Sequence, residues 1–205
     1  MQKFGETELF SFFPHASHQI TVDRFPRFAY LNGKGESMIQ LYTGNGKGKT
    51  TAGLGIIARS LGRGNKVCLI QFMKKNWEYG EIRFYSHQDN IDIFQFGTDK
   101  LIDPNAPREI DITEAEAAYK KARSVLQSGA YQLVVIDEIN VAVAWKLLPL
   151  ELQLELMDLA GDTELVMTGR YATEAAIARA DLVTEMKEIK HYFTSGVAAR
   201  KGVEY

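Results

Sequence analysis

Lys49 and Thr50 close the run Thr43-Gly44-Asn45-Gly46-Lys47-Gly48-Lys49-Thr50-Thr51, and glycines, lysine and hydroxyl at that spacing suit a chain of phosphates. Glycines let the backbone curl so that several N–H groups face one anion. A helix starting at the Lys-Thr step adds unpaired N–H groups and a partial positive charge. Lys49 would neutralise phosphate oxygens, and the Thr50 hydroxyl would sit on a Mg²⁺ ion bridging them. Gly44, Asn45, Gly46, Lys47, Gly48, Lys49, Thr50 and Thr51 are the candidate nucleotide-phosphate contacts of this loop. The pattern G-x-x-x-x-G-K-[ST] would place a glycine where this chain has Thr43. The loop length is kept and Gly44 and Gly46 keep it supple, so it reads as a variant P-loop. A Gly/Lys-rich surface turn is the bland alternative. The apolar run before the loop and the helical run after it count against that alternative.

A second cluster of chemistry lies in Leu133-Val134-Val135-Ile136-Asp137-Glu138, an apolar run ending in two carboxylates, the form of a Walker B motif. Asp137 and Glu138 are candidate metal residues, and spacing leaves open which of them touches the ion. Arg170 follows Met167-Thr168-Gly169 and would project from the same sheet edge, where a guanidinium fork suits phosphate. Lys74 and Trp77 are similar candidates at the exit of an earlier strand. By themselves these residues support a Mg²⁺–nucleotide protein, with phosphoryl transfer or hydrolysis as the default reaction and Glu138 polarising water. His15 and His18 could share a metal, but no further ligand lies near them and two solvent-facing histidines fit better.

The elements that must position these groups alternate. Strands are predicted over 38–42, 66–72, 91–96, 132–136, 164–167 and 181–186. Helices are predicted over 52–61, 81–86, 113–127, 140–147, 150–159 and 173–179, with Pro149 splitting two of them. Thr113 and Glu116 read as a capping box opening the third helix, after a long loop over 97–112. This alternation predicts an α/β fold, a mostly parallel sheet flanked by helices, in a P-loop NTPase (RecA-like) architecture over residues 38–205. Residues 1–37 form an extension rich in aromatics (Phe4, Phe10, Phe12, Phe13, Phe25, Phe28 and Tyr30), unlike a disordered tail.

Composition narrows the class. With 205 residues, 45% hydrophobic and 24% charged, the chain matches a soluble globular domain. A net charge of −2 argues against a general nucleic-acid or anionic-membrane binder. Cys68 is the single cysteine, which excludes an intramolecular disulfide framework and suggests a small core residue in its strand. No secretory h-region and no stretch of about 20 apolar residues is read, so a cytoplasmic location is expected.

Several stretches together resemble the P-loop corrinoid adenosyltransferase family, the ATP:cob(I)alamin or cob(I)yrinic acid a,c-diamide adenosyltransferases. They are Thr43 to Thr51, Gln71-Phe72-Met73-Lys74, Val134 to Asn140, Leu165 to Arg170, Ala180 to Met186 and the C-terminal Ile189 to Tyr205. Thr43 in place of glycine is that family's habit. The resemblance implies a different reaction from the default: a corrinoid reduced to Co(I) attacks the 5′ carbon of ATP and expels triphosphate, with ATP lying in a reversed sense across the loop. It implies Mg²⁺, ATP and a corrinoid, an unidentified reductant, and a homodimer, while the composition speaks against nucleic acid or membrane as partner. Lys49 and Glu138 would be the catalytic residues, with Thr50, Asp137 and Glu138 at the metal and Arg170 on the phosphates. Some members carry bulky aromatics after the third strand, thought to displace the corrinoid's lower ligand. Here the loop from Gly97 to Pro107 has none. The N-terminal extension would be a lid or inter-subunit arm. A kinase or ATPase with another acceptor, and a non-catalytic nucleotide- or corrinoid-binding protein, are the alternatives.

Overall fold

A computed structural model describes residues 37–205 except Trp77. The lid or arm expected of the N-terminal extension, the pair His15 and His18, and Trp77 therefore lie outside the described residues. The elements run β1 (Ile39–Thr43), α1 (Lys49–Leu61), β2 (Val67–Gln71), α2 (Gly80–Tyr85), β3 (Ile91–Gln95) and α3 (Glu109–Ser128). They continue as β4 (Leu133–Asp137), α4 (Ile139–Ala144), α5 (Leu150–Asp158), β5 (Glu164–Thr168), α6 (Glu174–Arg179) and β6 (Leu182–Glu185). A single 3₁₀ turn, Tyr192–Ser195, follows. The six strands make one sheet in the order β3-β2-β4-β5-β1-β6, and every neighbouring pair is parallel. β5 thus separates the strand before the phosphate loop from the strand ending in Asp137, the RecA-like arrangement that the alternation suggests.

Strand periodicity decides which residues meet. Side chains two apart share a face of a strand. Val67 and Leu69 of β2, Leu133 and Val135 of β4, and Val166 of β5 pack with Ile57 of α1 and with Ile82 and Tyr85 of α2. Cys68, Ile70, Val134, Ile136, Leu165 and Met167 take the opposite face, under Ala118 and Ala122 of α3, Ile139 of α4, and Leu156 and Met157 of α5. Continuing the first set by one step puts Gln71, Asp137 and Thr168 on the α1 face at the carboxyl ends of their strands. Gly53 lets α1 lie close there: a Cβ on it would meet Val135 at 3.1 Å. Cys68 is fully buried as expected, and burial pushes its thiol up to about 12.

Of the helix boundaries that differ from expectation, two have identifiable reasons. The phosphate-loop helix starts at Lys49, at the motif's Lys-Thr step and three residues before the 52–61 run, because Gly48 (φ 119°) turns the chain directly into it. The third helix starts at Glu109, and what opens it is the Asp111 carboxylate accepting from Arg108, not a box of Thr113 with Glu116. The Arg108 backbone N–H donates to Asp111 Oδ2 at 3.0 Å, and its Nε and Nη2 donate to the same carboxylate at 2.9 and 2.6 Å. Thr113 lies one turn inside, its hydroxyl donating to the Glu109 carbonyl at 3.0 Å. The Arg108 guanidinium holds the buried Asp111 carboxyl below the usual carboxylate range. Asp111→Ala is expected to lower the free energy of urea unfolding by about 1–3 kcal/mol, since it strips the partner from this helix start. A change below about 0.5 kcal/mol, the size of a neutral surface substitution, would contradict that role.

Candidate active site

Residues 43 to 48 join β1 to α1 as a loop shaped from behind. Gly44 has φ 92°, and a Cβ on it would come within 2.5 Å of the Met186 carbonyl. The Gly46 N–H donates to that carbonyl at 2.6 Å, and the Met186 N–H donates to the Thr43 carbonyl at 2.8 Å. The chain leaving β6 therefore braces the loop, and only glycine fits against it. Lys49 is buried and its Nζ donates back to the Gly46 carbonyl at 2.6 Å. Burial first, then the positive charge of Arg170, lowers its pKa, while Glu138 and Asp137 pull the other way. Asn45, Lys47 and Thr51 are exposed along the loop's outer side.

Asp137, at the end of β4, is 1% exposed and accepts from four side chains on three elements and one strand exit. Thr50 Oγ1 of α1 donates to Oδ1 at 2.9 Å, and Thr168 Oγ1 of β5 donates to the same oxygen at 2.6 Å. Gln71 Nε2 of β2 donates to Oδ2 at 3.0 Å. Lys74 Nζ, just beyond β2, donates to Oδ2 at 2.6 Å and to Thr50 Oγ1 at 3.3 Å. Burial alone would raise the Asp137 pKa. The Lys74 ammonium and the hydroxyl donors outweigh it and hold the group below the usual carboxylate range. Gln95 of β3 donates on to Gln71 Oε1 at 2.8 Å, extending the polar row to the sheet edge.

Glu138 follows with a left-handed backbone (φ 65°), and its N–H donates to Thr168 Oγ1 at 3.1 Å. That turn sends the two adjacent carboxylates different ways. Asp137 stays under the loop, whereas Glu138 faces a cavity of about 360 Å³ shared with Phe72, Lys74, Trp145, Arg170 and Tyr171. Burial and the neighbouring Asp137 charge raise the Glu138 pKa, against Lys74, Lys49 and Arg170. A second cavity of about 490 Å³ lies on the other side of Lys74, between Thr50, Thr51 and Tyr79 and the C-terminal Glu204 and Tyr205. Lys49, Lys74 and Arg170 converge on Asp137 and Glu138 between the cavities, and Glu81 and Glu204 line the second one.

The family model described as ATP:corrinoid adenosyltransferase BtuR/CobO/CobP matches residues 35–205. The chain belongs to that family. Over 169 residues it is 36% identical to the corrinoid adenosyltransferase of Pseudomonas aeruginosa, covering 82% of this chain and 83% of that one. Over the same length it is 34% identical to the corrinoid adenosyltransferase CobA of Salmonella typhimurium (82% and 85%) and 33% identical to the Escherichia coli K12 corrinoid adenosyltransferase (82% and 85%).

Within this family member the sequence-derived candidates fall into three places. Gly44 to Thr51 form the braced loop; Thr50, Asp137 and Lys74 meet beneath it; Glu138 and Arg170 line the first cavity. Gln71 and Thr168 went unassigned in the sequence; each ends its strand at the same edge as Asp137. The tail, identified only by resemblance, returns to the loop: Lys47 Nζ donates to the Val203 carbonyl at 3.1 Å and to Glu204 Oε1 at 3.2 Å. Arg200 and Tyr192 also donate to Glu204 and hold its carboxyl well below the usual range. Gly44→Ala combines a disfavoured φ with a backbone clash, and should weaken ATP binding about tenfold or more by calorimetry while the fold persists. Unchanged affinity would show that the loop shape is not what holds the nucleotide.

Proposed function

We propose that the chain transfers the 5′-deoxyadenosyl group of ATP to the Co(I) centre of a corrinoid and releases inorganic triphosphate. The observation that carries this reading is the convergence of Lys49, Thr50, Asp137 and Glu138 at one sheet edge in a member of this family. The electron pair on cobalt forms a bond to C5′ as the C5′–O bond breaks, and the bonding pair departs with the triphosphate. The nucleophile is the metal of the corrinoid substrate, so no side chain need remove a proton. The protein's task is placement of C5′ and stabilisation of charge on the leaving group.

Loop N–H groups and Lys49 suit that task, with Arg170 reaching the phosphates from the first cavity. Lys49 now bonds the Gly46 carbonyl, a contact that a phosphate oxygen would replace. Thr50 and Asp137 fit Mg²⁺: the hydroxyl donates to the carboxylate, which leaves its oxygen lone pairs turned to a cation. Among the described residues no three His, Cys, Asp or Glu side chains cluster, so phosphate and water must complete the coordination. Held by Thr50 and Asp137, Mg²⁺ would supply positive charge against the triphosphate. Glu138, a few ångströms along the chain, is assigned to the metal's water shell and to holding Lys49 and Arg170 in register.

Aromatics missing from the loop after β3 are supplied to the first cavity by Phe72, Trp145 and Tyr171, from the exits of β2 and β5 and the end of α4. That mouth is assigned to the corrinoid face. A cytoplasmic homodimer served by a separate reductant completes the reading. Among the described residues no helix is long and apolar enough to cross a membrane.

Chemically reduced cobalamin mixed with the protein and Mg²⁺-ATP should lose its Co(I) absorbance as the alkyl product forms. Unchanged absorbance with folded protein would overturn the proposal. Lys49→Ala should slow the reaction by about a hundredfold or more, the scale of removing one preorganised charge-stabilising donor. Near-normal turnover would contradict the role given to Lys49.

A further inference from the structure

Lys74 occupies an unusual place. Its Nζ lies 2.6 Å from Asp137 Oδ2 and 3.3 Å from Thr50 Oγ1, the two groups that fit a divalent cation. Asp137 is fully enclosed, and the Lys74 side chain is 20% exposed. The ammonium contributes the only positive charge among the four donors to Asp137, the others being two hydroxyls and an amide. A divalent ion bound to Thr50 Oγ1 would sit within a few ångströms of that ammonium, and like charges at such a distance repel strongly in a poorly hydrated site. The same carboxylate cannot serve both fully.

We infer that Lys74 is a placeholder for the divalent cation, holding Asp137 and Thr50 until metal and nucleotide arrive together and displace its ammonium. This rests on the proposed Mg²⁺-ATP site. Lys74 lines both cavities, so the displaced side chain has open space on either side. The exchange keeps the buried carboxylate compensated in both states, since an uncompensated buried charge is strongly destabilising. It also makes binding ordered: bare metal competes with the tethered ammonium, whereas the metal–nucleotide complex brings phosphate oxygens that can take up both charges.

The test uses Mn²⁺ alone, read by the loss of its free electron paramagnetic resonance signal on titration into the full chain without nucleotide or corrinoid. The wild-type protein should bind Mn²⁺ weakly. Lys74→Met should bind one Mn²⁺ at least ten times more tightly, Lys74→Arg should stay as weak as wild type, and Lys74→Met with Thr50→Val should lose the gain. Equal Mn²⁺ affinity in wild type and Lys74→Met would overturn the inference. So would a gain that survives Thr50→Val, since the ion would then lie elsewhere. Circular dichroism checks the fold, and Lys74→Gln is read in parallel. If both uncharged variants fail to fold, the ammonium is a structural counter-ion that cannot be vacated, and the inference falls. None of these readouts needs turnover, so a failed adenosyl transfer and a failed placeholder are told apart.

Discussion

The site depends on a carboxylate that has been taken out of water. Asp137 is buried at the end of a central strand, and an ionised group there is tolerated only when donors satisfy it. Its donors come from α1, β2, β5 and the exit of β2, so satisfying it fixes four pieces of chain relative to one another. The phosphate loop is thereby tied through Thr50 to the sheet, and its other side is tied through Gly46 and Thr43 to the segment after β6. A loop gripped from both sides can present its N–H groups without rearranging as ligand arrives, which is what preorganised charge stabilisation requires.

Backbone strain gathers at the same edge. Among the described residues, four other than glycine have positive φ: Met73, Glu138, Lys146 and Tyr171. Met73, Glu138 and Tyr171 line the first cavity, and each lies at the exit of a different strand, β2, β4 or β5. Such conformations cost on the order of 1–3 kcal/mol each and persist where surrounding structure demands them. Here the demand is directional: each turn bends the chain sharply at the sheet's carboxyl edge, so that a side chain faces the cavity rather than continuing over the surface. Gly97 and Gly169 make room for these turns, since a Cβ on either would press against Met73 or Asn140.

Much of this was legible because it is local. The glycine spacing around Lys49, the apolar runs and the terminal Asp137-Glu138 pair each depend on neighbours in sequence, and all stand where expected. Thr113 misled because its sequence has the form of a cap, while the actual start signal, Pro107 followed by Arg108 and Asp111, relies on the Asp111 carboxylate reaching back to an N-cap residue that is an arginine. Gln71 and Thr168 were opaque for another reason: their partner is reached only through strand order, in which β4 lies between β2 and β5. Spacing likewise could not say which acidic residue sits under the loop, since that turns on the left-handed backbone of Glu138. The return of Glu204 to Lys47 spans most of the chain and has no local signature.

In the proposed transfer this braced loop grips a leaving group rather than a group in transit between acceptors. Phosphorus-31 NMR of the products formed from ATP, Mg²⁺ and reduced corrinoid reads that distinction directly. Adenosyl transfer should yield inorganic triphosphate in step with corrinoid alkylation, with its three phosphorus atoms still joined. ADP with orthophosphate, or a phosphorylated acceptor, as the product of turnover would contradict it.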